Sequence, residues 1–164
     1  VQVVAVIDAN HLLKEVIRPV LQDLRLGGEY AEALVLGTAC QESRCGTWLV
    51  QLGGGPARGI YQMEPATHDD LWDRFIGGRV ELMRRVNRWR TQYGNGMGAD
   101  EMVGNLYYAT AMCRVHYLRV PAPIPHDLPA QAAYWKRYYN SVLGAGTEQE
   151  YIESWRQFAP PMFV

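Results

Sequence analysis

The chain has 164 residues, 48% hydrophobic and 20% charged, which suffices for one compact core without a metal or disulfide staple. Its 16 basic and 17 acidic side chains leave a formal charge of −1, excluding a general nucleic-acid binder and an acidic tail. Intrinsic disorder is excluded as well, and no apolar run approaches the roughly 18 residues that span a bilayer.

The opening VQVVAVI lacks the basic flank and length of a secretion signal. A start at Val1 fits initiator removal or excision from a longer polypeptide, and residues 1–164 read as a single domain. Leu12, Leu13, Val16, Ile17, Val20, Leu21 and Leu24 repeat on one face, predicting an amphipathic helix over 10–26 that Pro19 kinks or restarts. Gly27-Gly28 ends it. A second, Ala- and Leu-rich helix follows over Tyr30 to Arg44, then a loop with Gly53, Gly54, Gly55 and Pro56. Gly59 to Met63 suits a strand or extended bend, and Pro65 suits the first turn of a helix ending at Gly77-Gly78.

From Arg79 to Tyr93, the positions Leu82, Val86, Trp89 and Tyr93 form a core-facing stripe on an Arg-rich helix stopped by GNGMG. Met102, Leu106, Ala109, Cys113 and Tyr117 mark another long stripe, ended by the proline-rich stretch from Val120 to Pro129. Two helices remain, the last opened by a capping box of Thr147 and Glu150. The fold class is therefore mainly α, with about seven helices and a small extended or β-like segment near 46–63. Cys40, Cys45 and Cys113 are odd in number and lack C-x-x-C spacing, so they suggest no disulfide framework and no zinc site; they read as small buried hydrophobes.

Glu42 stands out because Ala31, Val35, Thr38 and Glu42 follow one helical line, placing a carboxylate where an apolar face would continue. Desolvation and the negative end of the helix dipole both disfavour its charged form, which suits a general acid. A surface glutamate paired with Arg44 is the plain alternative. His11 and Glu15 have i, i+4 spacing but no third ligand, so no metal site is expected. His68, Asp69 and Asp70 do not make a triad with Ser43, which lacks the signature of an activated nucleophile. Arg79, Arg84, Arg85, Arg88 and Arg90 read first as a solvated face, and second as a contact for anionic envelope polymers.

QESRCG at 41–46, a glycine-rich loop, ARGIYQMEPAT at 57–67 and RYYN at 137–140 occur in the order and spacing of a known set. Over roughly Ala31 to Ala145 the chain resembles the soluble lytic transglycosylase domain, which shares its fold with goose-type lysozyme. The resemblance implies a lysozyme-like helical fold that cleaves peptidoglycan glycan strands without a cofactor. It assigns Glu42 as catalytic acid, with Ser43 beside it holding site and sugar. Gly59 and Gln62 match the second motif, Tyr139 and Asn140 the third, and in relatives the tyrosine hydroxyl bonds near the catalytic carboxyl. Two departures are Tyr138 where the family has alanine, and Glu64 as an extra carboxylate before the proline. Tyr61 is a further candidate for stacking on a sugar ring.

The implied reaction cuts the bond between N-acetylmuramic acid and N-acetylglucosamine and leaves 1,6-anhydro ends in the bacterial envelope. Hydrolysis by a muramidase on the same fold is the alternative, since Glu64, Asp69 and Asp70 offer second carboxylates. A non-catalytic module that binds cell wall or builds a virion is a third reading. AYWKRYYN followed by LGAGT is similar to wall-degrading domains of phage particles and lysis proteins.

Overall fold

The computed structural model describes residues 7–91, 96–140 and 143–163; Tyr93, part of the GNGMG stop and the opening VQVVAV lie outside them. The fold is mainly helical, as expected. The first helix, α1, begins at Ala9–His11, widens into a π turn at Leu12–Ile17 and resumes as Arg18–Asp23. Proline has no N–H and crowds the carbonyl four residues back, so the wider turn ahead of Pro19 lets the helix restart there. Its apolar stripe is buried, with Ile17, Val20 and Leu21 fully shielded.

Helix α2, Glu29–Ser43, runs through the middle of the fold. Every residue from Ala31 to Cys40 is buried, so it is enclosed on all sides rather than amphipathic. Gly37 permits this, because a β-carbon there would stand 2.0 Å from the Tyr151 hydroxyl of the last helix. The chain leaves α2 through left-handed backbone at Arg44, Cys45 and Gly46, and all three cysteines are buried as the sequence suggests.

Between α2 and the next helix lie a 3-10 turn, Leu52–Gly54, and two isolated antiparallel bridges, Val50 with Arg58 and Arg58 with Met63. The extended segment near 46–63 is thus reduced to bridges, with no strand among the described residues. The Arg58 guanidinium gathers the carbonyls of Gly55, Pro56 and Ala57 and pairs with Asp100 at 3.3 Å, fixing the glycine-rich loop.

Helix α3, Pro65–Leu71, carries proline in its first turn and continues as a π turn at Trp72–Ile76. Helix α4, Val80–Asn87, follows. The long stripe predicted from Met102 to Tyr117 breaks in two: α5, Glu101–Gly104, and α6, Leu106–Leu118. Asn105 divides them because its side chain caps the amide of Tyr108 while its own backbone is extended. Helix α7, Leu128–Trp135, passes into a π turn at Lys136–Asn140, and α8, Glu148–Phe158, opens with the expected Thr147–Glu150 capping box.

The arginines of the basic segment are spent within the fold. Arg84 pairs with Glu81, Arg88 with Asp23 and Arg90 with the buried Glu101, while Arg79 and Arg85 donate to the carbonyls of Phe75 and Leu24. No helix among the described residues is long and apolar enough to cross a membrane.

Candidate active site

Glu42 stands one residue before the end of α2, at the wall of a cleft of about 550 Å³. The cleft is shared by Glu42, Gln62, Glu64, Tyr139 and Asn140, which come from three separate stretches of chain. Trp135 of α7 donates its indole N–H to Glu42 Oε1 at 2.9 Å. Trp48 donates to the Glu42 backbone carbonyl at 3.1 Å, covering one of the helix's terminal acceptors. Arg44 does not pair with Glu42; its guanidinium lies over the Trp48 ring, 5.7 Å from the centroid.

Burial pushes the Glu42 carboxyl up to about 7, and the Trp135 hydrogen bond acts in the opposite direction. The indole occupies Oε1, so the proton of the neutral form belongs on Oε2. A carboxyl with one oxygen anchored and the other able to donate meets a general acid's requirements at neutral pH. The same indole N–H then steadies the carboxylate left after donation.

Tyr139 and Asn140 sit in the π turn that ends α7, the kind of one-residue widening that re-aims side chains at a site. The Tyr139 hydroxyl donates to the Tyr61 backbone carbonyl at 2.7 Å. Burial, with Cys113 and Glu42 nearby, pushes its phenol well up, so it stays a donor. Asn140 donates to the Gly146 carbonyl at 3.0 Å. Gln62 has left-handed backbone, φ 49°, and its amide donates to the Gly59 carbonyl at 2.9 Å. Glu64 is exposed at the cleft, immediately before α3.

Three expected sugar contacts lie behind the cleft. Ser43 is fully buried: its hydroxyl donates to the Ile60 carbonyl at 2.6 Å and accepts the Gly46 amide at 2.9 Å. It therefore ties the helix end to the 57–63 loop and does not reach a sugar. Tyr61 is a core residue, 1% exposed, with its hydroxyl against Thr110. Gly59 has φ +79°, and a β-carbon there would stand 2.5 Å from the Met102 carbonyl, so its role is close backbone packing.

Trp135, Trp48, Gln51, Thr67 and His116 belong to the site but escaped the sequence reading. Trp135 had a signal, since it lies four residues before Tyr139 and hence on the same helical side. His116 donates through Nε2 to the Tyr138 carbonyl at 3.1 Å, and burial lowers its pKa to about 4. His68 bonds to Asp69 and to the Tyr108 hydroxyl, while Ser43 is engaged with backbone, so no triad forms. Among the described residues no group of three or more His, Cys, Asp or Glu could hold a metal ion. Comparison with family models, curated proteins and solved structures returned no match to this chain.

Proposed function

We propose that the chain is a peptidoglycan lytic transglycosylase of lysozyme-like fold, cleaving the β-1,4 bond between N-acetylmuramic acid and N-acetylglucosamine. The observation that carries this reading is Glu42, held by Trp135 at 2.9 Å in a cleft and poised to titrate at about 7. Glu42 Oε2 protonates the bridging oxygen as the glycosidic bond breaks. Positive charge then develops at the anomeric carbon of the muramoyl ring. The Glu42 carboxylate, steadied by Trp135, takes the proton from the muramoyl 6-hydroxyl, whose oxygen closes on the anomeric carbon to give a 1,6-anhydro end. Gln62 and Asn140 supply amide groups for the sugar substituents, and Trp48 an aromatic face.

Hydrolysis remains a second reading because Glu64 is exposed on the same cleft, where it could activate water. The reading places the protein's action in the bacterial envelope, with peptidoglycan as partner and no cofactor. Incubating purified sacculi with wild type and Glu42→Gln tests it. Wild type releases soluble muropeptides and the variant does not. Binding without release by wild type would instead assign a non-catalytic wall-binding module.

A further inference from the structure

Two of the three cysteines straddle the catalytic glutamate in sequence and meet in space. Cys40 lies two residues before Glu42 and Cys45 three residues after it, and their sulfurs are 3.1 Å apart. That separation is shorter than the ~3.5–4.0 Å at which even smaller carbon atoms rest. The approach is produced by the turn that ends α2. Arg44, Cys45 and Gly46 take φ of 48°, 53° and 85°. The amides of Arg44 and Cys45 fold back onto the carbonyls of Cys40 and Ala39, both at 3.1 Å. A side chain with a β-carbon is disfavoured in this left-handed region, yet Cys45 adopts it and thereby swings its sulfur back over the helix.

We propose that Cys40 and Cys45 form a disulfide that staples the end of α2 around Glu42, the oxidant being a small-molecule disulfide such as oxidised glutathione. One cysteine thiolate attacks a glutathione sulfur, releasing one reduced glutathione and leaving a mixed disulfide. The second thiolate displaces the other reduced glutathione and closes the Cys40–Cys45 bond. Two cysteine thiols are oxidised, one glutathione disulfide is reduced, and both thiol protons end on the two glutathiones. Both cysteines have 0% exposure in the folded chain, and the hydrogen bond with the Cys45 thiol, followed by burial, pushes the Cys40 thiol up. The bond therefore forms while the chain is folding, before the turn closes, and then resists reductants. Cys113, on α6, keeps its thiol.

The test refolds the denatured, reduced chain in mixtures of reduced and oxidised glutathione, denatures it again without reductant, alkylates it and measures intact mass. One alkylated cysteine is expected, on a chain about 2 Da lighter for the two hydrogens lost, with peptide mapping joining Cys40 to Cys45. The melting midpoint of this form should exceed that of the reduced form by about 4 to 8 °C. Cys113→Ala should keep both properties, and the double variant Cys40→Ala/Cys45→Ala should lose both. Three alkylated thiols in chain refolded to its native circular dichroism, or a cross-link through Cys113, would overturn the proposal. The readouts are mass and melting, so they stand apart from whether the chain cuts peptidoglycan.

Discussion

At the scale of the residue, the proposed chemistry rests on one carboxyl whose charge is withheld by burial. Glu42→Gln preserves shape and the acceptor for Trp135 but has no acidic proton, so muropeptide release should fall by roughly 10³-fold or more with little change in circular dichroism. Activity on sacculi should be flat below pH 7 and fall about tenfold per pH unit above it, as the acid form is depleted. His116 does not interfere, because its lowered pKa of about 4 leaves it neutral across that range. Trp135→Phe removes the hydrogen bond that opposes the rise, so the alkaline limb should move to higher pH while the rate drops roughly 10- to 100-fold. A limb unmoved in that variant would assign the titration to another group. Stability follows the same proton. The folded state holds it up to about 7 and the unfolded state only to about 4.5, so stability is greatest below the lower value and declines as pH rises between them. Glu42→Gln should flatten that decline, worth roughly 3 kcal/mol at most by denaturant titration at pH 5 and 8.

At the scale of the element, Gly59 decides whether the site can assemble. Gly59→Ala places a β-carbon 2.5 Å from a backbone carbonyl at φ +79°, with no flexible group to yield. A loss of about 2 to 4 kcal/mol is expected by urea titration, together with loss of activity, because the loop presenting Gln62 would be displaced. The helices themselves were legible in the sequence: α1, α2, α3 and α8 follow from periodicity, Pro65 and the Thr147–Glu150 box. Helix α4 follows less closely, since it stops at Asn87 short of the predicted end. Two features were not legible. The stripe from Met102 to Tyr117 hides the break at Asn105, since apolar spacing carries no mark of a side chain that caps the next turn. The π turn at Lys136–Asn140 changes which residues face the cleft, and no hydrophobic period of 3.6 can register it.

At the scale of the whole molecule, a fully enclosed central helix delivers a carboxyl to a cleft whose other walls come from the 48–67 region and from α6 and α7. Glu42, Gln62, Tyr139 and Asn140, which the sequence motifs single out, line one cleft. The motifs did not separate residues that line the cleft from those that build it, because Ser43, Gly59 and Tyr61 lie beside lining residues in sequence and behind them in space. Glu64 is exposed on the cleft, so under the proposed function the second reactant would be either an internal hydroxyl or water. Glu64→Gln should therefore leave release of anhydro products within about threefold of wild type, since the transglycosylase route needs only one carboxylate. The most direct measurement is mass spectrometry of the sugar ends released from purified sacculi. Muropeptides one water lighter than their reducing-end counterparts are predicted, and fragments bearing only reducing ends, or none at all, would contradict the transglycosylase reading.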